Sequence, residues 1–334
     1  MTFRLMCLLA LTSTVLVGCE REPAAPAPEP VPDSTTVVGA EHHALARAFE
    51  DEAAPWLRKL VVAAPGFREA VRALLRQPDD NSLDAARNAW TLLYESYNRA
   101  WPILATRAAL DPTLTAHLER TDIWPLMPGY VDAMPQWPES GIVYDATVDL
   151  DIDSLIAQQD MTDPAEVTVG FQVLELLLFG LPGAPREALD LTPPETLSEH
   201  QQPELEKPQH RRRDYLDAIS ALLLEDLNPL MRPRAPVPAG DLSPALLEAL
   251  STSRARQNRL DALADADDPD GGEYLSQRSR TMAMQGMDEA MAAWSDGDSE
   301  AGKALAEYLL WQGAGDTAPV GADQSPAQDA AAAE

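Results

Sequence analysis

The chain has 334 residues, 45% of them hydrophobic, and its 54 acidic against 25 basic side chains leave a formal net charge of −29. That charge excludes a binder of the nucleic-acid backbone, which needs Lys and Arg to release counterions, and it suits small partners that are cations or neutral molecules. Scarce Gly (17) and plentiful Pro (29), with only 6% aromatic residues, favour helices joined by Pro-marked loops over a β-sandwich or a doubly wound sheet.

At the N-terminus Arg4 precedes the apolar run Leu5 to Leu16, which is too short to span a bilayer and reads as a signal peptide over residues 1–18. The run closes in Leu16-Val17-Gly18-Cys19, which resembles a bacterial lipobox and implies lipidation of Cys19. Loss of the leader takes Cys7 with it, so Cys19 stands alone and no disulfide forms within the mature chain. Residues 19–39 read as a disordered tether rich in Pro and Ala (Pro23, Pro26, Pro28, Pro30, Pro32). Glu20 rather than Asp after the lipobox Cys resembles lipoproteins passed to the outer membrane. The expected place is therefore the cell envelope, as an outer membrane lipoprotein facing the periplasm, with the lipid at Cys19 as the contact with the membrane. Residues 313–334, rich in Ala, Asp and Gln, read as a disordered tail.

Between these ends, residues 40–312 read as helical. Asn81-Ser82 can cap a helix carrying Leu83, Ala86, Trp90, Leu93, Tyr94 and Tyr97 on one face, and Trp101-Pro102 is expected to end it. An irregular Pro-rich stretch follows from Trp124-Pro125 to Pro138. Asp163 as cap and Pro164 at the first turn open the most apolar helix, closed by Gly180 before Pro182. Leu181 to Pro208 is the expected boundary between two halves, about 40–185 and 205–312. In the second half, His210–Leu227, Leu242–Leu263, Tyr274–Trp294 and Ser299–Trp311 repeat the amphipathic style, and the Met stripe Met282, Met284, Met287 and Met291 reads as core. The fold class is all-α, two helical-bundle halves forming one unit.

Common catalytic motifs are missing from the sequence. There is no His-Glu-x-x-His, Cys-x-x-Cys, Gly-x-Ser-x-Gly or phosphate loop, and the five His residues (His42, His43, His117, His200, His210) share no helical face beyond the adjacent pair. The acidic run Asp265 to Gly271 misplaces the Pro and Gly of a calcium loop and reads as solvated.

The segment Gly170-Phe171-Gln172-Val173-Leu174-Glu175 resembles the Gly-x-His-x-x-Glu signature of the imelysin family. Further matches follow in order: the Trp90 helix, Asp122-Ile123-Trp124-Pro125, Ser140-Gly141-Ile142-Val143 and Arg212-Arg213-Asp214-Tyr215-Leu216. The resemblance implies an all-helical fold in two parts, an exported or lipid-anchored address, a frequent link to iron uptake and a motif regarded as a metal site; some members were named as peptidases. Here the motif His is Gln172.

A spacing of three places Gln172 and Glu175 on one helical face, but an amide oxygen is a poor ligand for zinc, copper or iron compared with imidazole. A metal ion, iron-related by the resemblance, is thus the cofactor expectation, weakened by Gln172, with Glu175 as its ligand. A carboxylate buried among Leu, Val and Phe needs a partner. Either Glu175 binds metal or ligand beside Gln172, or the pair is a polar cluster in which an Arg such as Arg212 or Arg213 holds Glu175 and Gln172 ties down loop backbone. Arg211 to Arg213 otherwise read as a solvated face, and Trp90, Trp101, Trp124 and Trp137 as core or cleft wall. Gly170, Gln172 and Glu175 are therefore the motif residues, with Glu95, Asp122, Arg212 and Arg213 as candidate neighbours and no catalytic residue assigned. The expected function is a ligand- or metal-binding lipoprotein associated with iron uptake, with iron-uptake proteins as partners and no nucleic acid. A metallopeptidase and a structural paralogue without a metal site are the alternatives.

Overall fold

A computed structural model describes residues 34–193, 202–266, 268–269 and 272–315. These form ten α-helices: α1 Ser34–Arg76, α2 Asp80–Leu110, α3 Thr115–Thr121, α4 Pro128–Val131, α5 Ile152–Ala157, α6 Phe171–Phe179, α7 Gln202–Met231, α8 Ala239–Ala262, α9 Gln277–Ser295 and α10 Glu300–Gly315. A two-stranded antiparallel hairpin, β1 Gly180–Leu181 and β2 Ala184–Pro185, follows α6 directly. The fold is all-α, as expected. Among the described residues no helix is long and apolar enough to cross a membrane.

The long α2 lies at the centre, packed against α1, α8 and α9, while α1 also meets α7 and α10. Helices from before and after the expected boundary thus share one hydrophobic cluster, which includes Phe67, Trp90, Leu177, Tyr215, Leu246 and Met287. The two halves form a single packed unit. Met291 is buried in α9 and Met282 and Met284 pack against the cluster, so the Met stripe is core.

Prolines explain most of the shifted boundaries. In α2 the cap is Asp79, whose Oδ1 accepts from Ser82 N (2.8 Å) while Ser82 Oγ accepts from Asp79 N (3.0 Å). The helix passes through Pro102 and ends only at Leu110. An interior proline costs about 3 kcal/mol. Burial of Ile103 and Leu104, at about 1.5–3 kcal/mol for each such side chain, more than offsets it. Pro208 and Pro229 likewise lie inside α7, which starts at Gln202, ahead of the expected His210. α1 takes in residues 34–39 of the expected tether. α10 takes in residues 313–315 of the expected tail.

The signal peptide, Cys19 and most of the tether, the tail from 316 onward and parts of the acidic loop lie outside the described residues.

Candidate functional site

Helix α6 positions the site, and it starts seven residues later than the capping pattern predicts. Asp163 caps only a turn, accepting from Ala165 N (2.8 Å). The true N-cap is Gly170, at φ 88° and ψ −169°, a region open essentially to glycine alone. A Cβ there would lie 2.6 Å from Arg120 O and 2.7 Å from Thr121 O. The missing side chain therefore lets α6 begin directly against the end of α3, where Asp122 follows. Along α6 every residue from Phe171 to Leu178 is buried, including Gln172 and Glu175.

Around Gln172 a polar cluster forms inside the core. Gln172 Nε2 donates to Asp122 Oδ1 (2.9 Å) and to Tyr94 OH (3.1 Å). Tyr94 OH also donates to Asp122 (3.2 Å), as does Trp124 Nε1 (3.2 Å). Arg256 on α8 completes the shell with Nη2 2.9 Å from Asp122 Oδ2. Its guanidinium lies between Trp101 (4.7 Å to the ring centroid) and Trp124 (5.0 Å). A buried carboxylate is tolerable here because one cation and three neutral donors meet it. Burial of Tyr94, with the Asp122 carboxylate beside it, pushes the phenol well above its usual range and keeps it a neutral donor.

One turn further on, Glu175 is satisfied by a different part of the chain. Its Oε1 accepts from Ser276 Oγ (2.6 Å) and Arg278 Nη1 (3.0 Å), and its Oε2 accepts from Ser279 Oγ (2.7 Å). Ser276 is also the N-cap of α9, accepting from Ser279 N (3.0 Å). Arg278 stands 3.8 Å over the Phe179 ring. Burial pushes the Glu175 carboxyl above its usual value, although the two serines and Arg278 pull the other way.

Both motif residues line a cleft of about 390 Å³ between α6, the β1–β2 hairpin and the start of α9. Leu176, Phe179 and Leu181 supply its apolar wall, Ser276, Gln277 and Arg278 its polar one.

Of the residues singled out in the sequence, Gly170, Gln172, Glu175 and Asp122 are brought together. Gln172 binds side chains, not loop backbone. Glu95 is half-buried on α2 and takes no part in these contacts. Arg212 and Arg213 do not hold Glu175. Arg212 is buried and reads Asp132 with two bonds, Nε to Oδ2 (2.6 Å) and Nη2 to Oδ1 (2.9 Å). Arg186 joins at 2.7 Å. Arg213 donates to the carbonyls of Leu191 (2.7 Å) and Leu75 (2.5 Å), and Arg211 to those of Ile142, Val143 and Val148. The basic run is therefore internal bracing and not a solvated face. A guanidinium with five donors satisfies carbonyls at helix ends and in loops that have no partner within a helix. Trp90 is buried, its Nε1 donating to Phe171 O (3.2 Å). Trp137 is 58% exposed, since the tight turn pairing it with Met134 turns the ring outward.

The partners of the motif residues that sequence reasoning missed are Arg256, Ser276, Arg278 and Ser279. The local signal for the last three is a serine pair around an arginine at a helix start, Ser276-Gln277-Arg278-Ser279, which reads as an ordinary cap, and Arg256 stands within α8 with no such signal.

The donor chemistry does not fit a transition metal ion held by the motif. Both oxygens of Glu175 face hydrogen-bond donors, one of them a cation, and Gln172 presents its amide nitrogen to Asp122. Among the described residues no group of three or more His, Cys, Asp or Glu side chains gathers as a ligand set.

No curated protein matches the chain. The model of the imelysin family matches residues 53–232, more than half of the chain. The match takes in α6 and Asp122 but stops ahead of Arg256, Ser276, Arg278 and Ser279. On that match, and with an all-helical fold built around the Gly170 to Glu175 segment, the chain belongs to the imelysin family.

Proposed function

We propose that this protein binds a small ligand in the cleft beside Gln172 and Glu175 without cleaving it, as an exported lipoprotein anchored through Cys19 in the setting of iron acquisition. The observation that carries the reading is the state of Glu175. Its two oxygens are occupied by Ser276, Ser279 and Arg278, so it is neither a free general base nor an open metal ligand. A peptidase mechanism would need one of those roles from it. What remains is a half-open cleft with an apolar wall and a few fixed polar groups, the usual make-up of a binding site. The lipobox-like leader and the link of the family with iron uptake support the address and the setting.

The test is a thermal-shift screen of small polar metabolites and iron chelates on the full-length protein and on Gln277→Trp, which places an indole at the exposed cleft mouth. Stabilising compounds whose effect vanishes in the variant support the reading. Compounds that act equally on both proteins, or hydrolysis of a peptide that depends on Glu175, overturn it. For the anchor, Cys19→Ala is expected to move the protein from the detergent to the aqueous phase on partition; retention in detergent refutes it.

A further inference from the structure

Three features of the cleft that bear on its ligand are independent of one another. The first is Arg278. Glu175 takes one of its nitrogens and the Phe179 ring supports one face, yet the side chain is 45% exposed at the cleft mouth. A guanidinium carries five donors in a planar fork, so an edge remains for a second, planar oxyanion. The second is the start of α9. The first hydrogen bonds of this 19-residue helix run from Ser279 N to Ser276 Oγ and from Arg280 N to Ser276 O. The N–H groups of Gln277 and Arg278 precede both, and these two residues line the same cleft. The third is Gln172. The Asp122 carboxylate next to it accepts only, so the amide nitrogen faces Asp122 and the carbonyl oxygen is turned away from it. Among the described residues no group donates to that Oε1, although the side chain is 1% exposed and forms part of the cleft lining.

A ligand matched to these groups brings an oxyanion for Arg278 and the helix start, and an N–H donor for Gln172. Gln172 and Glu175 are separated by about one helical turn, roughly 5 Å along the axis, so the two ligand groups must be close neighbours in one molecule. The space supplies the remaining constraint. Past Pro182 and Gly183 the cleft continues into a second hollow of about 680 Å³ that shares Tyr274 and Gln277 with it. Resting on the reading of this cleft as a ligand site, we infer that it takes the C-terminus of a peptide. The terminal α-carboxylate meets Arg278 and the first N–H groups of α9, the terminal amide N–H donates to Gln172 Oε1, the last side chain packs on Leu176, Phe179 and Leu181, and the preceding residues leave through the second hollow.

This occupant is an anion on a chain of net charge −29, opposite to the partner that bulk charge suggests. Screening removes most of that repulsion beyond about 8 Å at physiological salt, so the local guanidinium decides the sign.

The experiment is isothermal titration of the full-length protein in detergent micelles with acetyl-Ala-Ala-Leu, its C-terminal amide and acetyl-leucine. The acid is expected to bind at least about tenfold more tightly than the amide, the ratio that a charge-assisted hydrogen bond supplies. That preference is expected to disappear in Arg278→Gln. Gln277→Trp leaves the Glu175 contacts intact and is expected to abolish binding, so the question stays answerable if Arg278→Gln fails to fold. Equal binding of acid and amide that is lost in Gln277→Trp overturns the carboxylate assignment and leaves the ligand cleft standing. Binding that survives Gln277→Trp overturns both. Acetyl-leucine matching the tripeptide removes the second hollow from the site, and no binding at millimolar peptide overturns the inference.

Discussion

Replacing Asp132 by Ala tests how much of the fold rests on internal charge. The carboxylate is 2% exposed and accepts from Arg212 at 2.6 and 2.9 Å and from Arg186 at 2.7 Å. The Arg212 side chain is itself buried, at 4% exposure, and that of Arg186 is largely so, at 12%. Removing one member of a buried ion pair costs about 3–5 kcal/mol, chiefly because the other charge is stranded in low dielectric. Among the described residues Arg212 loses its only carboxylate at bonding distance here, while Arg186 keeps Asp190 at 3.7 Å, so the full range applies. At about 2–4 °C per kcal/mol for a domain of this size, the midpoint should fall by about 6–20 °C. Urea unfolding followed by circular dichroism at neutral pH measures the change directly. Burial alone would raise the Asp132 carboxyl, but Arg186 and Arg212 more than offset it and hold it below its usual 3.8. The stabilisation from this lowered value is therefore present above the unfolded value and lost as pH falls through the folded one, so the wild-type advantage should shrink below about pH 4. A loss under about 1 kcal/mol at neutral pH, the worth of an exposed pair, would refute the burial of this network.

Gly170→Ala should be about as damaging, since the backbone conformation alone costs of order 1–3 kcal/mol for a residue with Cβ and two carbonyls stand within 2.7 Å of the new atom; wild-type stability in the same urea assay would refute the close approach. Glu175→Gln addresses the opposite sign of titration. Burial raises the folded carboxyl above 4.5, so wild type is expected to lose stability as pH rises through that raised value. The variant lacks this slope, and parallel stability curves from pH 4 to 8 would show that Glu175 is solvated.

The helices were legible because their apolar residues recur at three and four places, as in Leu83, Trp90 and Tyr97 on α2. Their ends were less so. Pro102 and Pro208 read as breaks, yet tertiary burial carries helix through both. Asp163-Pro164 has the composition of a helix start, while the actual start at Gly170 depends on a carbonyl fifty residues earlier in the chain. At the site, the motif spacing and the cost of a buried acid singled out Gln172 and Glu175, and a family-like segment singled out Asp122, which the fold places beside Gln172. The same reasoning could not match each acid to its cation. Arg212 lies in a family-like segment and Arg278 in an ordinary helix cap, but side-chain reach in the folded chain assigns the first to Asp132 and the second to Glu175.

The supply of countercharge from α8 and α9 also bears on the order of assembly. During synthesis, a chain that has emerged only as far as α7 already contains both acids, Asp122 and Glu175, and the apolar helix meant to bury them, while Arg256 and Arg278 have yet to be made. Until the last quarter of the polypeptide arrives, these two buried positions lack the cations that meet them in the complete fold. A product cut short before α8 would therefore carry both acids without either of their countercharges.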